Sequence, residues 1–332
     1  MLLGFIGLGR MGWPMAHHIY ENIQSKKIFL GSEIIDTISV YDVDKKLQKA
    51  FAEKHPKCIV AENLRELSRK ASIIWLMIPS KYVYETVTQE ISPFMSRGFI
   101  IDGGNSDPRV SIKLYNSLKE RNIKFIDVGC SGGPPKAREA DLALMVGGDP
   151  QDYRMIESLL KILGNPIYVG PSGCGHLVKM LHNVLEYIIM GGIGEIYALL
   201  NILPQKLIGK SINVKNALKA INNGLAGSRL LQLTIEILED DIDLSKVVPY
   251  VSGGTQAVWT LEMAKGIPTI FTDLALLQRK VSRNEDYSKE LDKLIKDIEK
   301  LKTIRENPDG RFEIQSLLRG KFGGHKVYYK LE

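Results

Sequence analysis

The spacing of apolar residues changes character about halfway along the chain. Up to about residue 165, short apolar runs alternate with amphipathic stretches in which apolar residues recur at the helical period. The predicted strands are LLGFI, TISVY, SIIWLMI, GFIID, KFIDV and DLALMVGG. The helical stretches between them include 44–54, 82–95 and 108–121. This alternation predicts an α/β fold in which a parallel sheet is flanked by helices through right-handed crossover connections.

Beyond about residue 173 the strand pattern stops and the helical period dominates. Helices are predicted at 175–201, 213–225, 228–240, 255–265, 268–283 and 285–303. The expected joints between helices include Pro204, Gly253-Gly254 and 266–268. We therefore expect a parallel-sheet domain at 1–173, an all-α domain at 174–305 and a C-terminal tail at 306–332.

A glycine-rich turn joins the first predicted strand to the first helix. Its sequence, GLGRMG at 7–12, has the spacing G-x-G-x-x-G, which lets the backbone approach a pyrophosphate at a helix N-terminus. Asp42 follows the strand TISVY and suits a ribose 2′-hydroxyl. These features predict a Rossmann-type dinucleotide-binding domain that prefers NAD to NADP, and the nearby Lys45 and Lys46 weaken that preference. The expected cofactor residues in this region are Gly7, Leu8, Gly9, Arg10, Met11, Gly12 and Asp42.

Asp42 lies farther from the glycine loop than in the usual spacing of about 20 residues. The excess residues fall in ENIQSKKIFLGSEI, at 21–34. We interpret this segment as a longer helix end followed by a loop insertion.

Polar residues recur on one face of the helix predicted from residue 175. Those with the spacing i, i+4, i+7 and i+8 are Lys179, Asn183, Glu186 and Tyr187, and His182 lies at the edge of the face. The flanking positions are almost all apolar, so we expect a buried helix whose polar groups have partners or a chemical role. A lysine in a partly apolar cleft can act as a general base, and a glutamate with a pKa raised by burial can act as a general acid. Such groups suit oxidation of an alcohol followed by reaction of the resulting β-keto acid.

Two further loops follow predicted strands, at the sheet end where α/β folds bind ligands. They are IDGGNS at 101–106 and GCSGG at 129–133. Their small residues permit close approach of a ligand, and their polar side chains can bond to it. Taken singly, either loop is also compatible with an ordinary glycine turn.

Together these motifs resemble those of the 6-phosphogluconate dehydrogenases, within the wider β-hydroxyacid dehydrogenase superfamily. The resemblance covers nearly the whole chain and is to the short form of the family. GLGRMG is similar to the dinucleotide loop of the family, and LMIPS at 76–80 to the segment beside the nicotinamide. IDGGNS and GCSGG are similar to its substrate and cofactor loops. GHLVKMLHNVLEY at 175–187 is similar to its catalytic helix, and FGGH at 322–325 to its C-terminal substrate-binding segment.

The resemblance implies NAD(P)-dependent oxidative decarboxylation of 6-phosphogluconate to ribulose 5-phosphate and CO₂. Lys179 would be the general base and Glu186 the general acid. The implied substrate-binding residues are Asn105, Ser131, Gly132, Gly133, His182, Asn183, Tyr187, Arg279, Arg319 and His325. The implied additions to the cofactor residues are Ile78, Pro79 and Asn105. Because the C-terminal segment of such enzymes enters the site of a neighbouring subunit, a homodimer or homotetramer is expected.

Two departures from the long-form pattern leave the substrate open. The loop at 252–258 lacks the lysine of the long forms, and Pro134-Pro135-Lys136 replaces an acidic residue after Ser-Gly-Gly. The alternative is therefore a dehydrogenase of an unphosphorylated hydroxy acid, of the gluconate or 3-hydroxyisobutyrate type. A remote alternative is a non-catalytic protein that binds a dinucleotide or nucleic acid.

Composition adds to this picture mainly by exclusion. The 332 residues carry a net charge of +6, which suits an acidic small molecule but is typical of a lysine-rich surface as well. The 3 cysteines are scattered, which indicates a reducing compartment, and no His, Cys, Asp or Glu group shows metal-ligand spacing. We therefore expect no metal site and disfavour a metal-dependent lyase.

No predicted segment has the features of a secretory signal or of a membrane span. The apolar N-terminus is too short for a signal peptide, and the longest apolar stretch, 184–200, is interrupted by Glu186 and Glu195. We therefore expect a soluble cytoplasmic protein with no membrane or nucleic-acid partner.

Overall fold

The computed structural model describes residues 1–240, 246–248, 251, 254–265 and 267–304. The chain divides into two compact units, Met1–Met180 and Leu181–Glu332.

The first unit is built on an eight-stranded sheet. Its strands are β1 Leu2–Ile6, β4 Thr37–Tyr41, β5 Ile59–Val60, β6 Ile73–Leu76, β7 Gly98–Asp102, β8 Ile123–Ser131, β9 Leu142–Gly147 and β10 Gly164–Gly170. They lie in the order β10-β9-β8-β7-β6-β1-β4-β5. A separate antiparallel hairpin consists of β2 Ile28–Leu30 and β3 Glu33–Ile35.

Helices connect these strands and cover the sheet. They are α1 Gly12–Ser25, α2 Lys45–Lys54, α3 Leu64–Lys70, α4 Ser80–Glu85, α5 Pro108–Lys119, α6 Gly133–Glu139 and α7 Pro150–Leu160, and α4 continues as a π-helix at Thr86–Ile91. Successive strand residues face opposite sides, so Trp75 packs in one apolar cluster and its neighbours Ile74 and Leu76 pack in another. The α/β architecture predicted for this part of the chain is confirmed.

One pair of strands departs from the predicted parallel sheet. β8 and β9 are antiparallel, with Gly129 opposite Met145, and β10 is parallel to β9. The connection between β8 and β9 holds only the 7-residue helix α6. A parallel crossover needs about a dozen residues or more, so this shorter connection returns the chain in the opposite direction.

The interpretation of the segment at 21–34 is also corrected. The helix α1 ends at Ser25, as a longer helix end, but the rest forms the β2–β3 hairpin rather than a loop. The turn includes Gly31, whose φ of +59° is in the left-handed region that favours glycine.

The next helix, α8 Cys174–Ile208, begins by packing directly on the backbone of β8 and β9. A Cβ atom on Gly147 would lie 2.6 Å from the Gly175 nitrogen, and one on Gly175 would lie 2.4 Å from the Asp127 carbonyl oxygen. No larger side chain fits between these backbones.

The carboxylate of Asp127 binds the first turn of α8. It is fully buried and accepts hydrogen bonds from the Gly173 N–H at 2.6 Å, the His176 N–H at 2.9 Å and the Ser172 hydroxyl at 3.3 Å. These bonds satisfy backbone donors that the start of a helix otherwise leaves without partners. A residue of β8 therefore serves as the cap of α8.

The described part of the second unit is helical. After α8 come α9 Val214–Asn222, α10 Arg229–Glu239, α11 Thr255–Met263, α12 Ile270–Ser282 and α13 Ser288–Ile304. Small apolar clusters join them: Val184, Ala257 and Leu276 in one, and Leu218, Leu231 and Ile235 in the other. The prediction of helices after residue 173 is confirmed for the described residues.

Pro204 does not end a helix, contrary to the sequence-based expectation. The helix α8 continues past it to Ile208. A proline removes one backbone donor, which costs less near the end of a long helix whose remaining turns are intact. The helix ends at Ile208, and the next residue, Gly209, has a φ of +64° and donates to the Gln205 carbonyl oxygen at 3.0 Å.

The prediction that α8 is buried is wrong for one of its faces. Large apolar side chains there remain exposed, including Leu185 at 56% and Ile202 at 59%. By length and composition alone α8 also meets the criteria for a membrane span, because an 18-residue stretch of it has a mean hydropathy of 1.4. The sequence analysis did not expect such a stretch, since it took Glu186 and Glu195 as interruptions of the apolar run.

The cap formed by Asp127 generates a stability prediction. In Asp127→Asn, one oxygen acceptor becomes an NH₂ donor that faces other donors. We expect the free energy of unfolding to fall by about 2–4 kcal/mol, measured by urea denaturation of the full chain.

The matched control is Asp149→Asn, because Asp149 is an ordinary cap that accepts one bond from the Gln151 N–H at 2.8 Å. Asparagine caps a helix about as well as aspartate, so this change should cost less than about 0.5 kcal/mol. Equal effects of the two substitutions would contradict the special role of Asp127.

Candidate functional site

Each position of the loop between β1 and α1 that holds a glycine has its own steric reason for lacking a side chain. Gly7 has a φ of +99°, and a Cβ atom on Gly12 would lie 1.9 Å from the Gly7 carbonyl oxygen. A Cβ atom on Gly9, by contrast, would meet nothing within 4 Å. Gly7 and Gly12 therefore close the turn, and Gly9 leaves an open side where a ligand can approach the backbone.

The N-terminus of α1 has the properties of an anion-binding site. Met11 occupies the cap position and its side chain accepts no hydrogen bond, whereas α2 and α5 are capped by Asp44 and Asp107. Among the described residues, no side chain caps α1. The Trp13 N–H already donates to the Gly9 carbonyl oxygen at 2.9 Å, and the next residue is a proline without an N–H. The positive end of the helix dipole and the backbone of the glycine loop are therefore the features that suit a pyrophosphate.

Asp42 is held by the backbone on both sides of its carboxylate. The Leu8 N–H donates to one oxygen at 2.6 Å, and the Asp44 N–H donates to the other at 2.8 Å. Each carboxylate oxygen has a second lone pair that can accept from a ribose hydroxyl. Lys45 lies close by, with its Nζ 4.4 Å from the centroid of the Tyr41 ring.

These groups line a cleft of about 650 Å³ within the first unit. Its lining residues include Gly7, Gly9, Asp42, Tyr41, Leu47, Met77, Ile78, Pro79, Tyr82 and Thr86. The structure thus brings the predicted residues Gly7, Gly9, Asp42, Ile78 and Pro79 together. The predicted residues Arg10 and Asn105 are exposed, and neither of them lines this cleft.

The loop after β7 is anchored by a buried aspartate. Asp102 accepts from the Gly104 N–H at 3.0 Å, and its burial raises the pKa of its carboxyl group. A Cβ atom on Gly103 would lie 2.6 Å from the indole nitrogen of Trp75. The loop therefore lies tightly against β6, and it presents Asn105 to solvent.

The loop after β8 uses two glycines with positive φ. Gly132 has a φ of +127° and Gly133 of +64°, and α6 begins at Gly133. Ser131 is buried at the end of β8. The predicted substrate residues of this loop therefore lie where strand β8 gives way to a helix N-terminus.

Lys179 lies directly against strand β8. A Cβ atom on Gly129 would be 2.3 Å from the Lys179 Cβ, so the lysine stem passes over the bare backbone of that glycine. Burial raises the pKa of the neighbouring Cys130 thiol to about 12, although the charge of Lys179 opposes this. Cys130 is therefore a neutral thiol beside the lysine at physiological pH.

In the second unit, the next turns of α8 hold a second group of predicted residues. The His182 Nδ1 lies 3.4 Å from the Asn183 Oδ1 and 3.8 Å from a Glu186 carboxylate oxygen. Asn183 is buried, whereas the Glu186 side chain is 41% exposed. The side chain of Glu186 is thus more open than the buried general acid that the sequence suggested.

Tyr187 and Arg279 form a compact cluster in the second unit. The Arg279 guanidinium lies 4.0 Å from the centroid of the Tyr187 ring, and the Tyr187 hydroxyl donates to the Gln256 Oε1 at 2.6 Å. Burial raises the pKa of Tyr187 and lowers that of Arg279. Arg319 and His325, the other two residues predicted to bind the phosphate, lie outside the described residues.

Sequence reasoning did not assign two residues that organise these regions. Asp127 lies inside the predicted strand KFIDV, where an acidic residue in an apolar run was the available signal. Gln256 lies within the segment 252–258, whose departure from the long-form pattern was noted, and in the first turn of α11, but its contact with Tyr187 depends on tertiary structure.

Two family models match the chain. Residues 2–171 match the NAD-binding domain of 6-phosphogluconate dehydrogenase. Residues 175–317 match the C-terminal domain of 6-phosphogluconate dehydrogenase.

Curated relatives agree with these models. The NAD(+)-dependent, decarboxylating 6-phosphogluconate dehydrogenase of Haloferax volcanii is 30% identical over 86% of this chain and 92% of its own length. The decarboxylating 6-phosphogluconate dehydrogenase 2 of Saccharomyces cerevisiae is 30% identical over 88% of this chain, but only 61% of its own length is covered. The mitochondrial 3-hydroxyisobutyrate dehydrogenase of Mus musculus is 32% identical over 64% of this chain and 62% of its own length.

Solved structures share the fold. Plasmodium falciparum 6-phosphogluconate dehydrogenase has a TM-score of 0.70 at 24% identity, covering 93% of this chain and 65% of that chain. Mycobacterium tuberculosis 3-hydroxyisobutyrate dehydrogenase has a TM-score of 0.65 at 18% identity, covering 88% of this chain and 98% of that chain. From its two family models and its relatives, the chain belongs to the 6-phosphogluconate dehydrogenase family of NAD(P)-dependent oxidoreductases.

Proposed function

We propose that the protein oxidises and decarboxylates 6-phosphogluconate to ribulose 5-phosphate and CO₂, with NAD as the preferred hydride acceptor. The observation that best supports a phosphorylated substrate is the environment of Arg279. Its side chain is 3% exposed, and among the described residues no carboxylate forms an ion pair with it.

A buried guanidinium without a counter-charge is costly, because burial removes its hydration. Its Nη1 donates to the Ala275 carbonyl oxygen at 3.1 Å, and its Nε has no partner among the described residues. A phosphate would supply both the negative charge and the acceptors for the remaining N–H donors of the planar guanidinium group. The adjacent Tyr187 hydroxyl adds a group that can bond to a phosphate oxygen.

Catalysis is proposed to use the polar face of α8. Lys179 would accept the proton of the C3 hydroxyl while the hydride of C3 leaves for the nicotinamide ring. The resulting 3-keto acid loses CO₂ because the ketone accepts the electron pair of the breaking C1–C2 bond. Glu186 would then donate a proton to the carbon that lost CO₂. Its open side chain is compatible with exchange of that proton with solvent.

The remaining residues would position the sugar acid. Asn183 and His182 lie about one turn or less beyond Lys179 on the same helix and offer an amide and an imidazole to hydroxyl groups. Asn105, Ser131, Gly132 and Gly133 are proposed to bind the sugar acid, as the family resemblance implies. Arg319 and His325 are proposed as further phosphate ligands on the same basis.

The preference for NAD is proposed from Asp42. Its fixed carboxylate suits two ribose hydroxyls and would repel a 2′-phosphate. Lys45 provides one nearby positive charge, so we expect NADP to be used at lower efficiency rather than excluded. When bound, the dinucleotide supplies the hydride acceptor, and Gly7, Gly9 and the N-terminus of α1 would hold its pyrophosphate.

A dehydrogenase of an unphosphorylated acid is the second candidate. It is favoured by the similarity to the mouse 3-hydroxyisobutyrate dehydrogenase and by the absence of a lysine from the loop at 252–258. This candidate ranks second because no carboxylate of the described residues neutralises the buried guanidinium of Arg279, which favours a phosphorylated substrate.

We propose a soluble cytoplasmic homodimer or homotetramer, with no nucleic-acid or membrane partner. A second copy of the chain is the proposed cover for the exposed apolar face of α8, since Glu186 and Glu195 would be costly within a bilayer. The cysteines at 58, 130 and 174 are free, which suits a reducing compartment.

The role of Lys179 can be tested with Lys179→Met, which removes the amine and keeps an apolar stem. We expect turnover to fall by roughly a thousandfold because the general base is lost, while NAD affinity measured by fluorescence titration stays within about twofold. Lys206→Met, in the last turn of the same helix, is the control and should retain activity. Turnover of Lys179→Met within about tenfold of the unmodified protein would overturn the base assignment.

The role of Arg279 can be tested by comparing substrates. In Arg279→Gln, we expect the KM for 6-phosphogluconate to rise by about tenfold or more, because the phosphate loses a bidentate partner. The kcat/KM for gluconate should change little. Arg279→Lys retains the charge, so its KM for 6-phosphogluconate should lie between those of the unmodified protein and of Arg279→Gln.

The control for this test is Lys280→Gln, on the same helix, which removes the half-buried partner of Glu290 instead. If kcat/KM fell equally for both substrates in Arg279→Gln and in Arg279→Lys, Arg279 would have a purely structural role. That result would favour the unphosphorylated acid as the substrate.

A further inference from the structure

Outside the cleft of the first unit, three potential metal ligands converge between α1 and α2. They are His17, Glu21 and His55, which we name the two-histidine cluster, and their ligand atoms all lie within 4.8 Å of one another. The His17 Nδ1 is 2.9 Å from the His55 Nε2 and 4.0 Å from a Glu21 carboxylate oxygen. The sequence analysis missed the cluster because two ligands come from one helix and the third lies 38 residues from His17.

His55 is held in the orientation that a metal ligand needs. Its Nδ1 lies 2.8 Å from the Phe51 carbonyl oxygen, which can only accept, so Nδ1 bears the proton. The lone pair of a neutral ring is therefore on Nε2 and points towards His17. The Phe51 ring stacks on the imidazole at 4.0 Å, and Tyr20 contacts it edge-on at 4.7 Å. A carbonyl partner of this kind is typical of metal-binding histidines.

The other two ligands are open to solvent. His17 and Glu21 have the spacing i, i+4 on α1, and their side chains are 44% and 56% exposed. The neutral imidazole of His17 is the form that would coordinate a metal.

We propose that the two-histidine cluster binds one divalent transition-metal ion of the Zn²⁺ class. The ligands would be the His17 Nδ1, the His55 Nε2 and the Glu21 carboxylate, with water in the fourth position. Ligand atoms about 2.0–2.1 Å from a tetrahedral ion lie about 3.3 Å apart, whereas those of the cluster lie between 2.9 Å and at most 4.8 Å apart. Small side-chain rotations close this difference, and His17 then holds its proton on Nε2.

A metal at this position would fasten α1 to α2. The first of these helices follows the glycine loop, and the second follows Asp42. The ion would therefore stabilise the two segments that line the cleft for the dinucleotide, without touching that cleft itself. Binding to the folded state alone raises the melting temperature as the ion concentration exceeds the Kd.

The test uses the full chain without a histidine tag, titrated with ZnCl₂ by calorimetry and with CoCl₂ by visible absorption. We expect one equivalent to bind, with the intense d–d absorption of a four-coordinate site. His17→Gln and Glu21→Gln, both at half-exposed positions that tolerate change, should each raise the Kd by at least about tenfold. The rise in melting temperature with ZnCl₂ should be lost in the same variants.

Two controls define the site. His18→Gln removes the adjacent histidine of α1, which instead contacts the Arg138 carbonyl oxygen at 3.0 Å, and should leave the affinity unchanged. His182→Gln removes the histidine beside Glu186 on α8 and should also leave it unchanged. Absence of saturable binding, or an affinity loss confined to His18→Gln or His182→Gln, would overturn the proposal.

Discussion

The close packing of the first turns of α8 on strands β8 and β9 determines where Lys179 lies. Glycines at 129, 147 and 175 bring the helix within backbone distance of the sheet, and Asp127 supplies the acceptors that the helix start requires. Hydrogen bonds to a buried carboxylate are strong and directional, so they fix both the axial position and the rotation of this end of the helix. Within the first unit, that anchor therefore holds the lysine against β8.

The two units offer different groups to a negatively charged ligand. The first offers the backbone of the loop at 7–12 and the uncapped start of α1, beside the carboxylate that is proposed to bind the ribose. The second places a guanidinium at nearly zero exposure against an aromatic ring. Backbone donors bind a phosphate without fixing its identity, whereas a buried guanidinium demands a charged partner. This contrast explains why the substrate proposal depends on Arg279 more than on the dinucleotide cleft.

The sequence predicted the features that depend on local pattern. The strand and helix alternation, the helical second half and the long helix α8 all follow from periodicity, and the structure contains them. Features that depend on tertiary contacts were not accessible in this way. The antiparallel β8–β9 pair depends on a short connection, and the β2–β3 hairpin consists of strands too short to show alternation. The cap of α8 by Asp127 joins residues 46 and 49 positions apart.

The same limit applies to the side chains of the candidate sites. Spacing along α8 grouped Lys179 with Asn183 correctly on one helix, but it gave no measure of exposure. The helix was expected to be buried, yet Leu185 and Ile202 are exposed, since burial depends on what else packs against that face. His17 and His55 are far apart in the sequence, and only the fold brings them close enough for the metal site that is proposed for them.

The central claim is that this chain oxidises a phosphorylated sugar acid and releases CO₂. It is tested most directly by initial rates of nicotinamide reduction with 6-phosphogluconate and with gluconate, each with NAD and with NADP, while CO₂ is measured in parallel. The account predicts the highest kcat/KM for 6-phosphogluconate with NAD, and one CO₂ released for each nicotinamide reduced. Turnover of gluconate alone, or reduction of the nicotinamide without release of CO₂, would contradict it.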